Sequence, residues 1–244
     1  MGKIKVKDAS ELDIMRRSGR IVAEALELVK REARPGVTTD AIDRKVEELI
    51  REHDATPAFK GYRGFPRSVC TSINEQVVHG IPGERELESG DLLSADIGAF
   101  IDGYAGDAAV TVQVGECSEE AQELCRATHE SLQAAIDVLE PGIRVVDISR
   151  AVEEVVTSYG FSVVEKYTGH GIGRELHEPP QIPNFVRSGA VGRSPVIPEG
   201  AVLAIEPMVN VGTAKTRVLS DGWTVVSRDR SLSAHFEHTV AVTA

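Results

Sequence analysis

The sequence predicts an α+β fold built from two similar halves. Three observations carry this. Apolar residues recur at helical spacing on both sides of two Pro-Gly pairs, and a β-rich stretch with Gly and Pro turns follows each helical unit. A shift of 106 residues also lays one unit on the other: Pro35-Gly36-Val37 falls on Pro141-Gly142-Ile143, Ile42 on Ile148, Arg44 on Arg150, and Val46-Glu47-Glu48 on Val152-Glu153-Glu154.

Leu12, Met15, Val22, Leu26 and Val29 make residues 9–33 an amphipathic helix, and Pro35-Gly36 stops it. A second helix is expected over about 39–53, with Ile42, Val46, Leu49 and Ile50 on one face. Residues 54–115 form the first β-rich stretch. Ser118-Glu119-Glu120 then supplies a cap and two acids for a third helix, with Leu124, Thr128, Leu132, Ala135, Ile136 and Leu139 as its buried stripe up to Pro141-Gly142. Another helix and the second β-rich stretch, 161–244, complete the chain. A true repeat implies a pseudo-twofold fold with a site between the halves, drawing residues from both.

Composition excludes several functions. With 38 acidic and 27 basic residues among 244 the net charge is -11, against sequence-independent nucleic-acid binding, which depends on Lys and Arg. No uncharged apolar run reaches the roughly 18 residues of a membrane span, and Met1-Gly2-Lys3-Ile4-Lys5 lacks a signal-peptide core, so a cytoplasmic protein is expected. Cys70, Cys117 and Cys125 fit neither a disulfide framework nor a zinc-ribbon spacing.

Asp102-Gly103 is a two-residue hairpin signal between strand-like runs. A tight turn there sets Asp96 opposite Ala109 and makes Asp107 its diagonal neighbour on one sheet face, within reach of a common ion. Taken alone, the segment fits a pair of solvated aspartates equally well. Glu206 and Glu237 interrupt two further apolar runs, Ala201–Val209 and Phe236–Val242, where an unpaired carboxylate is costly. His79, His170 and His177 lie beside glycines or in turn-rich segments. Each by itself reads as an ordinary satisfied polar residue. No G-x-S-x-G, P-loop, dinucleotide fingerprint or H-E-x-x-H motif is present.

The order Asp96, Asp107, His170, Glu206, Glu237, with His79 and His177 alongside, closely resembles the type I methionine aminopeptidases of peptidase family M24. The words Ser68–Asn74, Val78-His79-Gly80-Ile81-Pro82, Gly169–Gly173, Ile205-Glu206-Pro207 and Phe236-Glu237-His238-Thr239 belong to the resemblance, which runs from about residue 8 to the C-terminus. It implies the pita-bread (creatinase/aminopeptidase-like) α+β fold: two pseudo-twofold-related halves, an antiparallel sheet covered by helices. The expected organisation is one catalytic domain over 1–244, repeats at about 9–115 and 118–244, and no separate N-terminal domain.

By the same resemblance, Asp107 and Glu237 bridge two divalent ions (Co, Mn, Fe or Zn), Asp96 completes one ion's sphere, and His170 with Glu206 the other's. Clustered carboxylates repel one another until dications neutralise them, and this donor set suits those metals. A water activated between the ions would attack the first peptide bond, with Glu206 handling its proton and His79 and His177 hydrogen-bonding the reacting amide. Phe59, Tyr62, Phe65, Cys70 and Trp223 would line the methionine pocket. The sequence departs from the family's frequent residues at Phe59 (Cys), Phe65 (Tyr), Leu176 (Phe), His235 (Gln) and Thr168 (Cys), which bears on pocket shape rather than on the reaction. The implied activity is removal of initiator methionine before a small second residue. The implied substrates are nascent polypeptide N-termini and Met-peptides, and the enzyme is a monomer with room for ribosome association. Related Xaa-Pro peptidases carry a sizeable N-terminal domain and type II enzymes a helical insertion; neither has room here.

Overall fold

The computed structural model describes residues 2–243 apart from 188, 190, 191 and 193. Among the described residues four α-helices form where apolar spacing asks for them. Helix α1 (Ala9–Glu32) starts at a capping box in which the Asp8 carboxylate accepts the Glu11 N–H and the Glu11 carboxylate accepts the Asp8 N–H. The side chain of Thr38 caps α2 (Thr39–Glu52) and that of Ser118 caps α3 (Glu119–Asp137). Helix α3 ends short of Pro141-Gly142 because its last turn tightens, the Leu139 N–H donating to the Ile136 carbonyl. Helix α4 (Val145–Ser158) follows.

The first half supplies strands β1 (Thr56–Pro57), β2 (Val69–Ile73), β3 (Gln76–Val78), β4 (Leu92–Ile101) and β5 (Tyr104–Gln113). The second supplies β6 (Ser162–Val163), β7 (Thr168–Gly171), β8 (Glu178–Pro183), β9 (Val202–Ile205), β10 (Met208–Asn210), β11 (Thr216–Val218), β12 (Val225–Ser227), β13 (Ser233–His235) and β14 (Glu237–Ala241). Strands β1 and β2 both flank β4, and the main sheet continues β4-β5-β14-β9-β7-β8, antiparallel throughout. The halves therefore join at β5–β14. There the Asp107 N–H donates to Thr239 Oγ1 at 3.0 Å, and the Thr239 hydroxyl donates back to the Asp107 carbonyl at 2.7 Å. Two small sheets, β13-β10-β6 and β11-β12-β3, close the rim.

Alternation divides the main sheet into two faces. Ala95, Ile97 and Ala99 of β4 pack with the apolar stripes of α1 and α2, while Leu203 and Ile205 of β9 pack with those of α3 and α4. The intervening residues of the same strands point to the opposite face. Among the described residues no helix is long and apolar enough to cross a membrane.

Candidate metal centre

The β4–β5 hairpin closes as Asp102-Gly103 requires, with φ of 49° and 79° at its two turn residues, so Asp96 pairs with Ala109 and Gly98 with Asp107. On the other side of β5, Glu237 also pairs with Ala109. Pairing of His238 with Ile205 puts Glu206, one residue past β9, next to Glu237, and Ala204 pairs with His170. Cys70 of β2 pairs with Asp96. Because side chains alternate, Asp96, Asp107, Glu237, Glu206 and His170 share the face away from the helices.

Distances follow from that register. Asp107, His170 and Glu237 each bring a donor atom to within 4.8 Å of the others, and His170 Nε2 lies 3.6 Å from Glu206 Oε1. His170 Nδ1 is 2.9 Å from the Gly171 carbonyl, which can only accept; the proton therefore sits on Nδ1 and the Nε2 lone pair faces the carboxylates. Asp96 Oδ1, Asp107 Oδ1 and Glu237 Oε1 are enclosed with no hydrogen-bond partner among the described residues. Buried carboxylate oxygens left this way are costly unless a cation takes them, so the donor set fits divalent metal.

The electrostatics agree. Burial raises the Asp96 carboxyl to about 7. Burial, then the charges of Glu237 and Asp96, hold Asp107 well above the carboxylate range; burial and then Glu206 and Asp96 do so for Glu237, and burial with Asp96 and Asp107 for Glu206. Burial lowers His170 and His79, and it brings His177 to about 3 with help from His170, Arg63 and His79. The imidazoles are neutral near pH 7.

The five residues line one pocket together with Phe59, Tyr62, Phe65, Cys70, Leu176 and Trp223 and with His79 and His177. Phe65 and Trp223 meet edge to face at 5.2 Å between ring centres. Gly98 leaves room for Phe59: a Cβ there would come within 2.8 Å of its ring. Tyr62 stacks on His177 and its hydroxyl lies 3.0 Å from His177 Nδ1, while the two rings His170 and His177 are 4.2 Å apart. His79 holds a left-handed backbone, φ 59°, between Val78 and Gly80, a conformation that costs a non-glycine residue energy. The five expected metal ligands, His79 and His177, and the five expected methionine-pocket residues thus all line one pocket.

Two lining or adjoining residues escaped the sequence-derived site. Arg63, also left-handed at φ 50°, lines the pocket from within Tyr62–Gly64, where only its place between two glycines hinted at a special backbone. His235 is buried two residues before Glu237, and its Nε2 is 4.0 Å from both Glu206 Oε2 and Glu237 Oε2. Its departure from the family's usual Gln and the period of two from Glu237 were the available signals.

The family model for metallopeptidase family M24 matches residues 13–244. A methionine aminopeptidase of Clostridium acetobutylicum is 50% identical over 98% of this chain and 95% of its own length, and methionine aminopeptidase 1 of Bacillus subtilis is 47% identical over 97% and 94%. The crystal structure of methionine aminopeptidase from Thermotoga maritima superimposes with a TM-score of 0.96 at 46% identity, covering 99% of this chain and 96% of that one. A prolidase from Pyrococcus furiosus, 24% identical with a TM-score of 0.79, shares the fold over 98% of this chain and 62% of its own. With its pita-bread architecture and a match spanning nearly its whole length, the chain belongs to metallopeptidase family M24.

Proposed function

We propose that this chain is a methionine aminopeptidase that releases the N-terminal methionine of nascent proteins and peptides when the second residue is small. The observation that carries the reading is the single sheet row, joined across the two halves, that sets Asp96, Asp107, Glu237 and Glu206 with His170 beneath an apolar-walled pocket. Its near-full-length relatives bear the same activity in their names.

Asp96, Asp107, His170, Glu206 and Glu237 would hold two divalent ions, of the Co, Mn, Fe or Zn type. Bound ions supply Lewis-acid chemistry: a polarised carbonyl and a water acidic enough to attack near neutral pH. The chain's own groups do the rest. Phe59, Tyr62, Phe65, Cys70 and Trp223 take the methionine side chain and exclude water from it. The Tyr62 hydroxyl donates to His177 Nδ1, leaving an N–H on Nε2 for the reacting amide. His79, neutral and held by its backbone, offers a second donor, and such donors are worth about 2.7–4 kcal/mol each in the transition state. Glu206, whose Oε1 lies 3.6 Å from His170 Nε2, takes and returns the proton. Under this reading the enzyme is a cytoplasmic monomer that meets nascent chains as they leave the ribosome.

The test is a peptide panel run with added Mn, Fe, Co or Zn. Met-Gly and Met-Ala peptides should lose methionine, and Xaa-Pro peptides should stay intact. Cleavage of the Xaa-Pro series alone would overturn the assignment.

A further inference from the structure

One polar side chain beside the cluster has no part in the reading above. His235 ends β13 with 2% of its surface exposed, and its Nε2 is enclosed with no hydrogen-bond partner among the described residues. That nitrogen is equidistant, at 4.0 Å, from Oε2 of Glu206 and Oε2 of Glu237. Its backbone is fixed. The His235 N–H donates to Thr111 Oγ1 at 2.8 Å, the Thr111 hydroxyl lies 2.9 Å from the His235 carbonyl, and Ser94 Oγ lies 2.8 Å from the same Thr111 oxygen. His235 also pairs with Met208 of β10, so strands of three elements hold it against the two glutamates.

A buried imidazole nitrogen without a partner costs free energy, and so do carboxylates facing it unbonded. The 4.0 Å separations exceed hydrogen-bond length by about 1 Å. Resting on the metal-centre reading, we propose that His235 is a positioning residue: its Nε2–H is a donor shared by Glu206 and Glu237 that fixes their orientation when they bind metal. Facing two acceptors, the imidazole keeps its proton on Nε2. Outer-sphere donors of this kind orient ligands, and their loss typically weakens metal binding about 10–100-fold.

The test titrates metal-free wild type, His235→Gln and His235→Leu with Co²⁺ by calorimetry, with visible absorption spectra and metal-free melting temperatures recorded in parallel. Gln keeps an N–H donor of similar reach; Leu fills the space without one. The expected result is at least tenfold weaker Co²⁺ binding in His235→Leu, recovery to within about threefold in His235→Gln with an unchanged Co²⁺ spectrum, and a metal-free melting temperature in His235→Leu no lower than wild type, since an orphaned buried nitrogen is gone. Wild-type affinity in His235→Leu would overturn the positioning role. Equal loss in both variants with an altered spectrum would instead make His235 a direct ligand and overturn it too, and a metal-free melting temperature lowered in His235→Leu would assign it a merely structural role. Wild type that takes up no Co²⁺ would fail the metal-centre reading itself, a different result from any of these.

Discussion

Asp96 and Glu237 face each other across Ala109: each pairs with that one residue of β5, from opposite sides, and each comes from a different half of the chain. With strands about 4.8 Å apart, the two backbones stand roughly 10 Å from one another. The methyl group of Ala109 leaves the space between their carboxylates open.

Filling that space should abolish the centre. Ala109→Leu places an isobutyl group amid the carboxylates, in a position only 2% exposed. Overpacking costs about 1–3 kcal/mol of stability, but the larger effect expected is loss of bound metal, measured by elemental analysis after dialysis. A Leu variant with wild-type metal content would refute the placement of the ions between these strands.

Neutralising one acid separates repulsion from ligation. Asp96→Asn removes a charge that raises both Glu206 and Glu237. The metal-free variant should melt higher than metal-free wild type, yet hold less metal and gain less from its addition. Calorimetric scans with and without Mn²⁺ check both halves, and unchanged metal stoichiometry would sink the ligand role.

The pH dependence of metal-free protein follows from the raised carboxyls. Asp96 moves from 3.8 unfolded to about 7 folded, so the folded state binds the extra proton and the stabilisation is complete below pH 3.8 and lost as pH rises through about 7. The buried histidines act in the opposite sense: lowered from 6.5, they favour the folded state more as pH approaches 6.5, and above it they are neutral in both states. Between about pH 6.5 and 8 the carboxylates therefore act alone. The metal-free melting temperature should fall across that window, and the increase on adding metal should grow. A flat metal-free profile there would count against the cluster's burial.

Tyr62→Phe tests the His177 tautomer. On the proposed tautomer the hydroxyl 3.0 Å from Nδ1 donates and leaves a proton on Nε2, whereas the ring itself lines the pocket. Losing one hydrogen bond of about 1 kcal/mol should reduce kcat several-fold while KM for Met-Ala peptides stays near wild type. A rise in KM at unchanged kcat would assign Tyr62 to methionine binding alone.

Much of this was legible in the chain itself. Helical spacing and caps at Asp8, Thr38 and Ser118 located the helices, because those signals act over a few residues. Asp102-Gly103 determined the register of Asp96 on Ala109, since a two-residue turn admits one pairing. The order of the four acids and one histidine, with their flanking words, pointed to the family. Only the tertiary structure decided that β14 lies beside β5, which brings Glu237 to the far side of Ala109 and joins the halves; no local rule selects a strand partner 130 residues away. It also decided that Phe59 lies over Gly98, that Tyr62 stacks on His177, and that His235 is enclosed between two glutamates. Short-range geometry is written in neighbouring residues, whereas these contacts exist only once packing has chosen which surfaces meet.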